Sequence, residues 1–144
     1  MNDKQLNDEG RDLWNQKAQF WDNLHGDEGN GFHRLLVSPS VERLLNLQAG
    51  ESVLDIGCGN GVMARRLAAL GGKVTAVDFS EELIELAKAR GSKGEAIDYR
   101  VVDATDEAAL VALGAGQFSA IVCTMALMDM PTIQPMFRAA RQLL

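Results

Sequence analysis

Leu54-Asp55-Ile56-Gly57-Cys58-Gly59-Asn60-Gly61 runs an apolar stretch into a glycine-rich bend, and Ala76-Val77-Asp78-Phe79-Ser80 ends the next apolar run on a second carboxylate. Two short strands with a helical stretch between them make a βαβ unit. Glycines in the first turn let the backbone approach a ligand closely, and an acid at the tip of the following strand can hold a ribose. Together the two stretches describe a nucleoside-binding unit.

Outward from this unit the pattern keeps alternating. Residues 53–56 predict a strand, 62–70 a helix stopped by Gly71-Gly72, and 73–77 a second strand. Ser80 is placed to cap a helix with Glu81 and Glu82 in its first turn and Lys88 and Arg90 in its last, as the helix dipole favours, and Gly91 stops it. A third strand over 99–102, a short helix over 106–113 stopped by Gly114, and a fourth strand over 120–124 follow. Ile133, Met136, Phe137, Ala140, Leu143 and Leu144 then form a helical stripe. Strands alternating with helices imply a parallel sheet in an α/β fold.

Upstream, Leu13, Trp14, Lys17, Phe20, Trp21 and Leu24 fall at helical spacing over 11–24, giving one helix with an aromatic stripe. Gly26-Asp27-Glu28-Gly29-Asn30-Gly31 interrupts it. Ser38 followed by Pro39 predicts a helix cap and first position, with Val41, Leu44 and Leu45 on the buried side.

The 144 residues suffice for one domain with a real core, and a composition 47% hydrophobic and 24% charged is that of a folded globular chain. Fourteen basic against 20 acidic residues give a net charge of −6 without any basic patch, so binding to nucleic acid is not expected. The amino terminus lacks the apolar core of a signal or anchor, and the longest apolar stretch, 120–128, is too short to span a bilayer. A cytoplasmic protein without membrane partners is the expectation. Cys58 and Cys123 read as free thiols in a reducing compartment, and their spacing suggests no metal site.

In a parallel sheet, ligands sit beyond the carboxyl ends of the strands, and right-handed crossovers would set Asp55, Asp78, Asp103 and Thr124 along that edge. A single strand-end Asp is commonly a cap or turn residue, whereas four such tips beside a glycine loop point to a binding crevice. A dinucleotide fingerprint needs Gly or Ala at its sixth position, and here that position is Val62. Asp55 ahead of the loop would repel a pyrophosphate and attract an ammonium group. No Gly-Lys-Ser or Gly-Lys-Thr follows the glycines, so a phosphate-binding loop is absent as well.

These motifs, with Val102-Asp103-Ala104-Thr105 and Cys123-Thr124-Met125-Ala126-Leu127-Met128-Asp129-Met130-Pro131, resemble class I S-adenosylmethionine-dependent methyltransferases of the methyltransferase type 11 kind, over roughly residues 10–144. The resemblance implies a Rossmann-like, doubly wound, mainly parallel sheet in a three-layer αβα domain over 1–144, with 1–47 as a helical lid region. It implies S-adenosyl-L-methionine as cofactor. Asp55 would face the methionine ammonium, and Gly57, Cys58 and Gly59 would line the methionine and ribose portions. Asp78 would hold the ribose hydroxyls and Phe79 would pack on adenine. Asp103 and the Ala104 amide would meet the adenine edge, and Thr124 would close the site.

Trp14, Phe20, Trp21 and Phe32 are lid candidates whose alternative is plain core packing, and Arg34 is either a partner for the methionine carboxylate or a surface residue. A small-molecule acceptor is expected, since no Asn-Pro-Pro-Tyr or Asp-Pro-Pro-Tyr follows the fourth strand. Methyl transfer by in-line displacement needs alignment more than a dedicated catalytic residue. His25, His33 and Asp129 are the available bases, and Cys123 is a weak candidate nucleophile.

Complete relatives resemble a seven-stranded sheet, so the family's carboxyl-terminal strands are expected to be missing here. That would leave the fourth strand an exposed edge and favour a homo-oligomer. Two alternatives stay open: a nicotinamide-dependent oxidoreductase and a non-catalytic nucleoside-binding module.

Overall fold

The computed structural model describes residues 1–92, 94 and 96–144. In chain order the elements are α1 (Asp3–His25), a π-helical turn (His33–Val37), α2 (Ser38–Leu45), β1 (Ser52–Ile56), α3 (Val62–Ala69), β2 (Lys73–Asp78), α4 (Glu81–Arg90), β3 (Asp98–Val101), α5 (Glu107–Val111), β4 (Ala120–Val122), a 3-10 turn (Leu127–Asp129) and α6 (Gln134–Leu143). Among the described residues the sheet has four strands in the order β3-β2-β1-β4, and every neighbouring pair is parallel. The chain moves outward from β1 to β3 and then returns to lay β4 on the other side of β1. Strand order therefore reverses between β1 and β4, which opens a crevice beyond their carboxyl ends.

Successive side chains of β1 point to opposite faces and join two different cores. Val53 packs with Met63, Leu67, Val74 and Ile84 under α3 and α4, with Val41 and Leu45 of α2 against the same cluster. Leu54 and Ile56 pack with Leu110, Met136 and Leu143 beneath α5 and α6. This is the three-layer Rossmann-like arrangement expected from the alternating strands and helices. Leu54, Ile56, Leu67 and Ile84 are fully buried, and each stabilises the fold by about 1.5–3 kcal/mol relative to an exposed side chain.

α4 has the ends its sequence dictates: Ser80 Oγ accepts from the Leu83 amide and Gly91 closes the last turn. Other boundaries differ. α1 begins at Asp3 rather than near residue 11, because Asn2 accepts from the Gln5 amide while the Gln5 side chain accepts from the Asn2 amide. Ser38 does not cap α2: the π-helical turn runs straight into it, its backbone is helical (φ −64°, ψ −46°), and its amide donates to the His33 carbonyl. Leu44, expected on the buried side of α2, is 82% exposed, so only Val41 and Leu45 serve that face. Asp106 caps α5 from outside, its side chain accepting from the Ala109 amide. α6 buries Met136, Ala139 and Leu143, while Phe137 and Leu144 face solvent. No helix of the described residues is long and apolar enough to cross a membrane.

α1 crosses the carboxyl ends of the strands and is held by polar rather than apolar side chains. Asn7 donates to Asp103 beyond β3 (2.6 Å), Asn15 accepts from Ser80 beyond β2 (2.6 Å), and Asp22 accepts from Asn60 beyond β1 (2.9 Å). The last anchor is a network. Arg90 of α4 grips Asp22 through Nε and Nη2 (2.6 and 2.9 Å), and Nη1 reaches Asp27 (2.7 Å). Buried Arg65 donates to the carbonyls of Asn60, Gly26 and Asp27. Arg90 beside Asp22 holds that carboxyl below its usual range, the Asn60 donor adding to the effect. Asp22 is 5% exposed, so removing its cation leaves a buried, poorly compensated charge. Arg90→Ala is expected to cost about 2–3 kcal/mol in urea unfolding and to speed amide exchange over residues 18–26, with the sheet amides less affected.

Candidate functional site

Asp55, Gly57, Cys58, Gly59, Asp78, Phe79, Asp103, Ala104 and Thr124 all line one cavity at the reversal of strand order. Asp55 is the next-to-last residue of β1 and Asp78 the last of β2, whereas Asp103 and Thr124 lie two residues past the ends of β3 and β4. The expected edge is therefore real, though its third and fourth members come from loops.

Asp55 is 1% exposed and its Oδ2 has no hydrogen-bond partner. Burial, and then the neighbouring Asp78, push its carboxyl up to about 8. Asp78 is raised by burial too, but three backbone amides oppose the shift: those of Ser80, Gly59 and Phe79. Two of them are explicit bonds, Gly59 N–H to Oδ2 and Ser80 N–H to Oδ1, both 2.9 Å. Asp78 thus ties the glycine loop to the head of α4, while Asp55, helped only by the Ala64 backbone amide, keeps Oδ2 without a partner.

The loop depends on backbone shapes that side chains resist. Gly57 has φ +69°, and a Cβ there would lie 2.6 Å from the Cβ of Ala126. Gly61 has φ +88° at the amino end of α3. The Gly57 and Cys58 amides both donate to the Val77 carbonyl (2.8 and 3.0 Å), which fixes the loop to the tip of β2. Across the cavity the indole of Trp21 stands over Gly59, its Nε1 3.6 Å from where a Cβ would be.

Of the aromatic candidates, Trp14 and Trp21 line the cavity as edge-to-face rings 5.0 Å apart, whereas Phe20 and Phe32 are 69% and 50% exposed and belong to neither site nor core. Arg34 is exposed and does not line the cavity. His25, His33 and Asp129 do line it, and burial raises the Asp129 carboxyl. Burial pushes the Cys123 thiol up to about 12 and Cys58 upward as well, which opposes thiolate chemistry at either.

Asp103 is already engaged: Oδ1 accepts from the Thr105 amide and hydroxyl (2.8 and 2.7 Å), and Oδ2 from Asn7. Three polar lining residues escaped the sequence reading as site residues: Asn7, Asn60 and Ser38. Asn60 lies inside the quoted glycine motif, but its role depends on Asp22, 38 residues upstream, and no local pattern announces that pairing. The Ser-Pro pair drew attention to Ser38 and was misread as a cap.

Known proteins share both the pattern and the shape. Residues 53–144 match the family described as a methyltransferase domain. A ubiquinone biosynthesis O-methyltransferase of Xanthomonas axonopodis pv. citri (strain 306) is 39% identical over 97 residues, which is 67% of this chain and 39% of that protein. The chain therefore covers well under half the length of that relative. A SAM-dependent methyltransferase from Aquifex aeolicus superposes with a TM-score of 0.71 at 18% identity, over 88% of this chain and 66% of that one. The [4+2]-cyclase SpnF superposes with a TM-score of 0.75 at 20% identity, over 93% and 55%. At such identities the two structures speak to fold alone, and the cyclase is a reminder that this fold does not dictate one reaction. The match over 53–144, which takes in the glycine loop, both buried carboxylates and the loops after β3 and β4, places the chain in the methyltransferase domain family.

Proposed function

We propose that this chain is the cofactor-holding part of an S-adenosylmethionine-dependent methyltransferase that acts on a small-molecule acceptor. The observation that carries the reading is the buried Asp55 carboxyl, whose Oδ2 has no hydrogen-bond partner, beside a glycine loop too tight for side chains. Such a group asks for a cationic hydrogen-bond donor, and the methionine ammonium is one. A pyrophosphate would be repelled there, which disfavours a nicotinamide dinucleotide. The family match over residues 53–144 agrees.

On this reading Asp55 pairs with the ammonium, and Gly57, Cys58 and Gly59 follow the methionine and ribose. Asp78 accepts from the ribose hydroxyls with the lone pairs left by its backbone donors, and Phe79 packs on the adenine. Asp103, committed to Asn7 and Thr105, keeps limited acceptor capacity for the adenine amino group beside Ala104, and Thr124 closes the floor. Bound S-adenosylmethionine supplies an activated methyl group; the protein's part is alignment and exclusion of water. Residues 1–47 act as the lid, with α1 lying over the site on its three polar anchors. The two free thiols suit a cytoplasmic protein. Among the described residues β4 is an edge strand, and on this reading it pairs with a second copy; a monomeric mass in sedimentation at micromolar concentration would reject that pairing.

Titration calorimetry with S-adenosylhomocysteine is expected to give a saturable heat and NAD none; heat from NAD alone would overturn the reading. Because the ligand ammonium favours ionised Asp55, binding at pH 7 should release about one proton, read as different heats in phosphate and Tris buffers.

The ligand-free chain should show the opposite face of the same group. The Asp55 carboxyl is higher in the fold than its ordinary 3.8, so the stability it contributes is full below about pH 4 and is lost as pH rises toward about 8. Asp55→Asn mimics the protonated form. At pH 8 it is expected to raise the ligand-free Tm by at least about 4 °C, with little gain near pH 4, and to weaken S-adenosylhomocysteine binding about tenfold or more.

A further inference from the structure

Beyond the groups assigned to the cofactor, the cavity wall carries a second polar cluster, built on the π-helical turn. His33, His25 and Ser38 all line the cavity. His33 opens the turn and Ser38 follows it, joined by the bond from the Ser38 amide to the His33 carbonyl, so one turn of wide helix brings both residues to the same wall. The rings of His25 and His33 meet edge to face at 5.0 Å, and Trp21 stacks on His25 at 3.9 Å. Fully buried Ser38 has an Oγ without a partner, and so does Nε2 of His25, a residue only 5% exposed. With Asp55 Oδ2, three of the four unpartnered buried side-chain atoms among the described residues belong to residues of this one cavity.

The hydrogen bonds also decide where each imidazole carries its proton. Asn30 Oδ1 accepts from the His33 amide at 3.0 Å, which identifies that atom as oxygen; it also lies 2.9 Å from His33 Nδ1. An amide oxygen only accepts, so Nδ1 bears the hydrogen and Nε2 keeps the lone pair. His25 Nδ1 lies 3.1 Å from the Trp21 carbonyl, and the same argument leaves its Nε2 an acceptor. Burial, reinforced by His25, holds His33 below the ordinary imidazole value, so it is neutral near pH 7. His33 is also only partly buried, which leaves it within reach of a ligand.

Resting on the methyltransferase reading above, we propose that His33, His25 and Ser38 form the acceptor subsite, which binds a hydroxyl group on a small apolar molecule, with His33 Nε2 receiving the hydroxyl proton. A hydroxyl donates to an imidazole lone pair and accepts from Ser38 with one and the same oxygen. An ammonium has no lone pair to offer Ser38. The same cavity is also lined by Val62, Met63, Met125 and Met130, apolar side chains that suit an aromatic or aliphatic body. In the step itself the O–H bond breaks and its proton passes to Nε2. A lone pair of the oxygen forms the new bond to the methyl carbon of the sulfonium donor, and the carbon–sulfur bond breaks with its electron pair on sulfur. Asn30 is a positioning residue: it touches no reactant but holds the ring in the tautomer that can accept a proton.

Two measurements test this on the full chain. Long-range ¹H–¹⁵N correlation spectra of the imidazoles need no cofactor. They are expected to show His33 protonated on Nδ1 at pH 7, with that preference lost in Asn30→Ala; an Nε2-protonated His33 overturns the inference. Catechol and benzylamine are then titrated, with tryptophan fluorescence as readout, into protein saturated with S-adenosylhomocysteine. Catechol should saturate and benzylamine should not. His33→Gln and Ser38→Ala should each weaken catechol about tenfold while leaving S-adenosylhomocysteine affinity within about twofold, which also shows that the variants fold. Failure of catechol to bind, equal binding of benzylamine, or undiminished catechol binding in both variants overturns the subsite. Failure of S-adenosylhomocysteine to bind the unaltered chain would instead overturn the cofactor reading, leaving the imidazole spectra to stand separately.

Discussion

Asp55 is the next-to-last residue of the central strand, so the sheet cannot form without carrying that carboxyl into the interior beside Asp78. Two acids in a low-dielectric crevice repel when both are charged, and among the described residues no ion pair compensates Asp55, whose Oδ2 has no partner. Asp78 is compensated by the amides of its own loops. Asp55 is instead held protonated over much of the ordinary pH range, a state that stabilises the empty fold and does not suit the pairing of a cationic ligand. The same burial that makes the site costly makes it selective, since a donor of positive charge gains most where water is excluded.

Most of the architecture around this carboxyl was legible in the chain because it rests on local patterns. Stretches such as 53–56 and 73–77 are mostly apolar on both faces because a parallel sheet buries both. α4 was legible at both ends, since Ser80 and Gly91 act through bonds that reach only a few residues. The nine residues proposed to meet the cofactor share one cavity for a related reason: in a parallel α/β sheet the tips of strands necessarily share an edge.

What escaped notice depends on partners far apart in the chain, or on a rare local geometry. The first two turns of α1 carry almost no apolar signal, because its anchors there and beyond are Asn7, Asn15 and Asp22, and a search for hydrophobic periodicity passes over them. Ser38 before Pro39 has every mark of a helix start, yet a helical turn already precedes it. That wide turn leaves the hydroxyl free of a capping bond and sets it in the cavity wall. Phe20 and Phe32 misled in the other direction, since aromatic rings at helical spacing usually face a core and here face solvent.

The three anchors of α1 also set a ruler across the strand ends. They stand eight and seven residues apart, about 12 and 10 Å along the axis, and meet the loops after β3, β2 and β1 in that order. Every anchor is a short side chain with little slack, so phase matters as much as length. Inserting one residue between Asn15 and Asp22 would turn the second half of the helix by about 100°, swinging Asp22 away from Asn60 and Arg90 while Asn7 and Asn15 kept their grip. Natural variation in this segment is therefore expected to arrive as substitutions, or as whole turns, and not as single-residue insertions or deletions.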